Sequence, residues 1–334
     1  MTPVNICYYP TTTVFLDDCH PFLKDLPLAV SEDIAYVPFR IPEHAIHYIN
    51  DKIGCNPVED PDCIQSENEC CDLERDFKIR VNIEAIPSKI EDKGRFFEPS
   101  VLVVDYDMPD LNGLEVCQAI KNPYVKKILL TGVADEHIAV EALNNNIIDY
   151  YIKKSSPNVF AKINALIRQF QSQYFDELST VVRKTLKTGC YFLDDLKFNE
   201  YFSSLLNDNK IVEYYFKKAT VNTPCEFTMV AGSGAPYRLT IYNDQLFEQH
   251  LDLAEEDVKA PDELISALKE RTHILNFPSF DCYYDSRLND WQNYLLPVEK
   301  IIGEKENYYC HFSSIDFSNL SIFSYREHLI KHDA

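Results

Sequence analysis

Short apolar runs alternate with stretches of helical periodicity along the first half of the chain. The runs that predict strands are residues 12–16, 34–39, 101–104, 127–130 and 150–152. The stretches with apolar residues three or four positions apart, which predict helices, are 42–50, 113–121 and 136–144. Continuous apolar runs are expected of parallel strands that are buried on both faces. Strands that alternate with helices predict βαβ units, and therefore an α/β fold with a doubly wound parallel sheet.

A polar, acidic and cysteine-rich segment interrupts this pattern. It covers residues 51–76, and we place the insertion as a whole at 51–98. Within it, apolar residues alternate with polar ones from 77 to 85, which predicts a strand with one solvated face. Its cysteines are Cys55, Cys63, Cys70 and Cys71. Because zinc sites usually show close ligand pairs such as CxxC, this spacing favours a cysteine-rich surface loop over a metal site.

A long helix is predicted between the two halves of the chain. Residues 158–188 carry apolar positions at helical spacing and contain no glycine or proline. Such a length suits a helix that links two domains, and its apolar stripe is suited to pairing with a second copy. We accordingly place the first domain at 1–157 and the second at 189–334.

The pattern in residues 189–334 predicts an α+β domain with antiparallel strands. Helices are predicted at 199–207, 211–218 and 244–269, and strands at 227–230, 237–241, 274–277, 294–302 and 308–313. Residues 232–236 contain two glycines and a proline, which predicts the turn of a hairpin. This succession of hairpin, helices and second hairpin resembles a PAS-like sensory or dimerisation domain.

Charge and cysteine content narrow the function classes. The chain carries 53 Asp and Glu residues against 32 Lys and Arg, a formal net charge of -21. A surface this acidic repels phosphate backbones, so DNA binding is possible but not favoured. We find no signal-peptide pattern and no apolar stretch long enough to span a bilayer, and therefore expect a cytoplasmic protein without membrane contact. In a reducing cytosol the 11 cysteines are expected to be buried thiols rather than disulfides.

Polar residues follow the predicted strands of the first half at the point where each strand ends. They are Asp17, Asp18, Asp105, Thr131 and Lys153. Ligands of open parallel sheets bind outside the carboxyl ends of the strands, so these side chains are expected to converge. Clustered carboxylates suit Mg²⁺, and a carboxylate beside a bound cation can attack phosphorus to form an acyl phosphate. A lysine would neutralise charge on the transferring group, and a threonine hydroxyl would donate a hydrogen bond to it.

The same residues carry a family resemblance. The segments 16–18, 104–113, 130–132 and 150–153, which read LDD, VDYDMPDLNG, LTG and YYIK, resemble the receiver domain of bacterial two-component response regulators. The resemblance covers about residues 11–170 apart from the insertion. It implies the roles of phosphoacceptor for Asp105, switch hydroxyl for Thr131 and salt-bridge partner of the phosphoryl group for Lys153. It further implies that Tyr150 is the aromatic switch residue, and that Mg²⁺ is held by Asp17, Asp18, Asp105 and the backbone carbonyl of Asp107.

Two positions depart from the family pattern. Lys154 stands where the family usually has a proline. The sequence therefore does not decide whether the peptide bond between Lys153 and Lys154 is cis, as it normally is in the family. Asn146 and Ile147 replace the usual glycine and alanine before the last strand, a mild change because asparagine tolerates left-handed backbone geometry.

The resemblance implies a response regulator that a sensor histidine kinase or a phosphotransfer protein phosphorylates on Asp105. Phosphorylation is expected to drive homodimerisation or to change the interactions of the second domain, with no enzymatic activity beyond phosphoryl transfer to Asp105 itself. The whole chain is also similar to LqsR-type quorum-sensing regulators. Two alternatives stay open: a transcription factor with an unusual DNA-binding output, and an output enzyme of unrecognised type.

Overall fold

The computed structural model divides the chain into two compact units. It describes residues 3–51, 64–67, 78–81, 86–132, 136–186, 190–218, 223–256, 262–276, 291–316 and 322–332. The first unit, called here the α/β unit, consists of Cys7–Val182 and Ile322–Ala334. The second, called here the α+β unit, consists of Met1–Ile6 and Arg183–Ser321. None of the described helices is both long and apolar enough to cross a membrane.

The α/β unit contains a five-stranded parallel sheet, which confirms the predicted fold class. Its elements before the second unit are β1 (Cys7–Tyr8), β2 (Thr12–Leu16), α1 (His20–Ala29), β3 (Tyr36–Phe39), α2 (Pro42–Asp51), β4 (Ile64–Glu67), β5 (Lys78–Val81), β6 (Pro99–Asp105), α3 (Gly113–Ala119), β7 (Lys126–Thr131), α4 (Glu136–Asn144), β8 (Tyr150–Lys153) and α5 (Val159–Thr185). The sheet has the order β3-β2-β6-β7-β8, and all four neighbouring pairs are parallel.

Helices cover this sheet on both faces. Val14, Leu102 and Leu129 pack on one face with buried residues of α2, α3 and α4. The neighbouring Phe15 and Val103 point to the other face and pack with α1 and α5. All seven residues of β6 are buried, which explains the continuous apolar run in its sequence. Each fully buried aliphatic or aromatic side chain stabilises the fold by roughly 1.5–3 kcal/mol.

Part of the insertion forms an antiparallel pair of strands. Strand β4 pairs with β5 in a register that joins Ile64 to Val81 and Glu67 to Lys78. The strand predicted over residues 77–85 is therefore observed in its central part, at Lys78–Val81. The four cysteines of the insertion lie outside the described residues.

Helix α5 is 27 residues long and buries its apolar stripe within the chain. The stripe residues Ile163, Ile167, Phe170, Tyr174 and Leu178 are all at most 4% exposed. The predicted long helix is thus present, but the side chains proposed to meet a second copy are covered in a single chain. Dimerisation through this stripe would require it to be uncovered first.

A buried carboxylate fixes α5 at the end of the sheet opposite the polar strand ends. Glu98 directly precedes β6 and is 2% exposed. One of its oxygens accepts a hydrogen bond from the hydroxyl of Tyr9 at 2.5 Å, and the other accepts one from the hydroxyl of Tyr174 on α5. Burial raises the pKa of Glu98, while the two hydroxyl donors oppose that rise.

The α+β unit is built around an antiparallel sheet. Its elements are α6 (Leu196–Asp208), β9 (Ile211–Lys217), β10 (Cys225–Ala231), β11 (Pro236–Asn243), α7 (Asp244–Glu256), α8 (Asp262–Lys269), β12 (His273–Leu275), β13 (Leu295–Pro297), β14 (Glu299–Ile302) and β15 (Asn307–Ser314). Five strands follow in the order β9-β10-β11-β15-β14, and β12 pairs with β13. The predicted hairpin is confirmed as β10 and β11, with Gly234 in its turn at φ 87°. The PAS-like resemblance stays a prediction.

One element of this unit was predicted wrongly. Residues 211–218 were expected to be helical, but β9 is a strand that pairs with β10. Four consecutive residues, from Glu213 to Phe216, are buried. Short apolar runs do not distinguish a buried strand from a buried helix by spacing, and the content of Ile, Val, Tyr and Phe favours a strand.

The chain returns to the α/β unit at its C-terminal end as α9 (Tyr325–His332). The hydroxyl of Tyr325 donates to the carbonyl of Asp33 and accepts from the N–H of Ala35, both at 2.9 Å. Arg95 donates to the carbonyl of Phe323 at 2.7 Å, and the ring of Phe96 lies 5.2 Å from that of Tyr325. The α/β unit is therefore assembled from two separate stretches of the chain.

The substitution Tyr174→Phe should lower the free energy of unfolding by about 1–3 kcal/mol at neutral pH, because it removes one donor from buried Glu98. The raised pKa of Glu98 means that its protonated form stabilises the folded chain, and this stabilisation is lost as the pH rises through the folded-state pKa. The decrease in the free energy of unfolding caused by Tyr174→Phe should therefore become smaller as the pH is lowered towards the unfolded-state pKa of Glu98. Urea unfolding of the wild type and of the variant, at neutral pH and at a pH near the unfolded-state pKa of Glu98, measures this difference in the free energy of unfolding. Tyr191→Phe, at an exposed tyrosine, is the control, and an equal effect of the two substitutions would contradict the role of Glu98.

Candidate functional site

Three carboxylates meet where β2 and β6 end. Asp17 and Asp18 directly follow β2, and Asp105 is the last residue of β6. The parallel register places Leu16 beside Val104, so the two strands end side by side. One carboxylate oxygen of each aspartate lies within 4.8 Å of the other two. These three residues are called here the acidic pocket.

The pocket lies in a largely buried part of the sheet edge. Asp17 is 0% exposed and Asp105 is 6% exposed, whereas Asp18 is half-buried. Thr131 ends the neighbouring strand β7 and is 0% exposed. Its hydroxyl has no hydrogen-bond partner among the described residues. A buried hydroxyl without a partner is costly in a folded protein, and such a group marks a place where a polar ligand is favoured.

The ammonium group beside Asp105 belongs to Lys154. Its Nζ lies 2.7 Å from Oδ2 of Asp17 and 2.9 Å from Oδ1 of Asp105. Lys153, which was expected beside Asp105, instead places its Nζ 2.6 Å from Oε2 of Glu136 at the start of α4. The structure thus brings the neighbouring lysine, rather than the predicted one, to the acidic pocket.

The backbone explains this exchange of lysines. The N–H of Lys154 donates to the carbonyl of Thr131 at 3.0 Å, so the chain stays beside β7 for one residue beyond β8. Successive residues of an extended chain point in opposite directions, which separates the two lysine side chains. No cis peptide bond occurs among the described residues, so the bond between Lys153 and Lys154 is trans. Without a proline at position 154, the cis form has no support.

Charges within the pocket shift two pKa values. Burial raises the pKa of Asp105, and the charge of Asp17 adds to this, while hydrogen bonding to Lys154 opposes it. Burial alone would lower the pKa of Lys154, but its hydrogen bonds and ion pairs with Asp17 and Asp105 outweigh burial and raise it. The lysine therefore stays charged and compensates part of the negative charge of the pocket.

The turn after β6 holds α3 close to Asp105. The N–H of Gly113 donates to the carbonyl of Tyr106 at 3.0 Å. A Cβ atom on Gly113 would lie 2.3 Å from the backbone oxygen of Asp105, so only glycine fits. Asn112 caps α3 by accepting from the N–H groups of Leu114 and Glu115, while Glu115 accepts from the N–H of Asn112. This capping box orients the helix that follows the pocket.

Two other predicted residues lie outside the contacts of the pocket. Tyr150 is half-buried and packs with the α1 and α5 face of the sheet, with the Nζ of Lys162 5.1 Å from its ring centroid. Asp107 is exposed in the loop after β6. The roles expected of these residues stay predictions.

The donor set fits a hard divalent cation. Three carboxylates supply oxygen ligands, which Mg²⁺ prefers, and one or two of them suffice while water and phosphate oxygens fill the remaining positions. The pocket carries more negative charge than one lysine neutralises, so a divalent cation would be held by Asp17, Asp18 and Asp105.

The substitution Asp105→Asn should raise the thermal midpoint of the protein in magnesium-free buffer at pH 7. Because the pKa of Asp105 is raised in the folded chain, its ionisation favours the unfolded state. The stability contributed by the protonated form is complete below the unfolded-state pKa and lost as the pH rises through the folded-state pKa. The difference between variant and wild type should therefore be largest at pH 7 and vanish near about pH 4. Circular dichroism melts measure it, with Asp110→Asn at a nearby exposed acid as control. A variant that melts below the wild type at pH 7 would show that the carboxylate stabilises the fold.

Comparison with known proteins places this geometry in a family. Residues 60–164 match the family model described as "Response regulator receiver domain". The chain is 29% identical over 110 residues to the transcriptional regulatory protein CreB of Escherichia coli, which is 32% of this chain and 46% of that protein. It is 26% identical over 170 residues to the probable transcriptional regulator ycf27 of Galdieria sulphuraria, covering 48% of this chain and 61% of that one. The chain thus spans about half the length of the curated relatives it matches.

One solved structure matches the chain over nearly its whole length. The structure of the response regulator LqsR of Legionella pneumophila is similar with a TM-score of 0.78 and 30% sequence identity. The match covers 99% of this chain and 97% of that one, so it includes both units. The five-stranded sheet, the acidic pocket and this full-length similarity agree: the chain belongs to the LqsR-type response regulators, with a receiver domain formed by its α/β unit.

Proposed function

We propose that the protein is a phosphorylation-controlled switch in a two-component pathway, with Asp105 as the phosphoacceptor. The observation that carries the proposal is the acidic pocket, in which three carboxylates lie together beside an ammonium group. The neighbouring strand ends at the buried hydroxyl of Thr131, which has no hydrogen-bond partner within the described part of the chain. The phosphoryl donor would be a sensor histidine kinase or a phosphotransfer protein. The site of action would be the cytoplasm, and the resemblance to LqsR-type regulators favours quorum sensing as the regulated process.

The chemistry is a transfer of one phosphoryl group. A carboxylate oxygen of Asp105 attacks phosphorus and forms an acyl phosphate, while the bond from phosphorus to the donor breaks and the donor nitrogen or oxygen keeps the electron pair. Bound Mg²⁺ would supply neutralisation of the phosphoryl oxygens. The hydroxyl of Thr131, which is buried and unpaired among the residues that the structure describes, would then donate a hydrogen bond to the new phosphoryl group.

The two lysines are suited to different tasks. Lys154 contacts Asp17 and Asp105, the same carboxylates that would hold the cation, so lysine and cation compete for them. Lys153 makes an ion pair with Glu136 in which both side chains are more than one-third exposed. Exposed pairs contribute only about 0–1 kcal/mol, so Lys153 can leave Glu136 at little cost. We therefore keep Lys153 as the partner of the phosphoryl group and assign Lys154 to the unphosphorylated pocket.

The output of the switch is proposed as a change in protein interactions of the α+β unit or in dimerisation, relayed by Thr131 and Tyr150. The apolar stripe of α5 is covered in the single chain, so a dimer would use another surface unless phosphorylation uncovers the stripe. A DNA-binding output is the second candidate, because the curated relatives that match the chain are named as transcriptional regulators. The net charge of -21 weighs against it.

Phosphorylation should occur on Asp105 and require Mg²⁺. Incubation of the full chain with acetyl phosphate and Mg²⁺ should produce a slower species on a Phos-tag gel, and Asp105→Asn or removal of the metal with EDTA should abolish it. Asp110→Asn should behave like the wild type, because this exposed acid lies outside the pocket and asparagine tolerates its positive φ of 72°. Undiminished phosphorylation of the Asp105→Asn protein would refute the assignment. Sizing of the same samples then tests whether phosphate drives dimerisation.

The two lysines should respond differently to substitution. Mg²⁺ should raise the thermal midpoint of the protein, and Lys154→Gln should lower the Mg²⁺ concentration needed for half of that rise by about fivefold or more. The reason is that the ion pairs of Lys154 compete with the cation, and their loss favours Mg²⁺ binding by roughly 1 kcal/mol or more. Lys153→Gln should leave this concentration unchanged and instead reduce the yield of phosphorylated protein. The assignment fails if the effects are interchanged or if Lys154→Gln does not change the response to Mg²⁺.

A further inference from the structure

Two cysteines and a lysine lie together in the α+β unit, away from the acidic pocket. The Sγ atoms of Cys190 and Cys225 are 3.7 Å apart, and both residues are present as thiols. The Nζ of Lys218 lies 3.6 Å from the Sγ of Cys190. The cysteines are 4% and 3% exposed, so the cluster is buried. None of these residues was singled out by the sequence pattern, since Cys190 and Cys225 are 35 residues apart.

The sheet explains why these residues meet. In the antiparallel pair of β9 and β10, Lys217 lies opposite Glu226. Continued by one residue, the same register brings Lys218 opposite Cys225. Cys190 precedes a 3-10 turn at Tyr191–Asp194, and Phe192 of that turn packs on Phe216 and Phe227 of the two strands. The turn therefore holds Cys190 against the end of the strand pair.

This environment favours a thiolate on Cys190. The hydrogen bond with Cys225 and the nearby charge of Lys218 lower the pKa of the Cys190 thiol, although burial acts in the opposite direction. For Cys117, burial raises the pKa of the thiol to about 12 and outweighs the opposing charge of Lys127. A hydrogen bond and a cationic neighbour that together lower the thiol pKa are typical of reactive cysteines.

We propose that Cys190 and Cys225 form a redox-sensitive dithiol that hydrogen peroxide oxidises to an intrachain disulfide. The thiolate of Cys190 attacks the peroxide, the O–O bond breaks, and the leaving oxygen takes a proton and departs as water. The resulting sulfenic acid is attacked by the sulfur of Cys225, the S–O bond breaks, and a second water molecule leaves. In sum, two thiols and one hydrogen peroxide give one disulfide and two water molecules. Lys218 is a positioning residue that holds the Cys190 thiolate.

The site is separate from the proposed phosphorylation, because all three residues belong to the α+β unit. A disulfide would join the beginning of that unit, just after α5, to the first residue of β10. Oxidation would thus regulate the α+β unit by a second route that does not depend on phosphorylation of Asp105.

The test uses the full-length wild-type chain, reduced and freed of reductant, then treated with a few equivalents of hydrogen peroxide at pH 7. After alkylation and non-reducing digestion, mass spectrometry should find a peptide that links Cys190 to Cys225, and dithiothreitol should remove it. Lys218→Gln should slow formation of this link by about three- to tenfold, because loss of the lysine charge raises the pKa of the Cys190 thiol and lowers its thiolate fraction, while the nucleophilicity of the remaining thiolate rises in part compensation. Lys218→Arg should restore most of the rate, and Lys217→Gln, at the exposed neighbouring lysine, should match the wild type.

Two results would overturn the proposal. The first is that the wild-type protein stays folded in peroxide, as its unchanged circular dichroism spectrum shows, but forms no Cys190–Cys225 link. This result counts whether or not other residues react with the peroxide. The other is a folded Lys218→Gln protein that forms the link at the wild-type rate, which would remove the role of the lysine. Cys190→Ser must lose the link, since any linked product that survives this change involves other cysteines.

Discussion

Repulsion among Asp17, Asp18 and Asp105 is the constraint on which the site depends. Three carboxylates that lie within 4.8 Å of one another destabilise the fold unless positive charge is supplied. Parallel strands impose this proximity, since β2 and β6 end side by side, and the ammonium of Lys154 relieves part of it. The stability of the fold and the binding of ligands at the pocket are therefore linked, because a cation that binds there reduces a repulsion already present in the folded chain.

The sequence predicted those parts of the molecule that follow from short-range pattern. The five strands of the parallel sheet, the convergence of the aspartates and the hairpin of β10 and β11 all come from apolar runs and turn residues, and the structure shows them. Helix α1 lacks such a signal because it contains Pro27 and has no side-chain cap at Cys19. The assignment of 211–218 as a helix was wrong, since only pairing with β10 decides between the two structures.

Contacts between distant residues could not be predicted in this way. The choice of Lys154 over Lys153 depends on the hydrogen bond from the N–H of Lys154 to the carbonyl of Thr131, which no motif encodes. The cluster of Cys190, Cys225 and Lys218 depends on strand register and on the packing of Phe192. In both places a family pattern or a residue count indicates the kind of chemistry, while backbone geometry selects the side chain that performs it.

The return of α9 to the α/β unit has a consequence for how the molecule can be divided. Tyr325 hydrogen-bonds both Asp33 and Ala35, and the ring of Phe96 packs against it, so α9 is part of the receiver domain. A fragment that stops after α5 would leave this aromatic surface open to water and to other molecules. Residues 322–332 follow the α+β unit in the sequence, so this part of the α/β unit can pack in place only after the α+β unit has been synthesised.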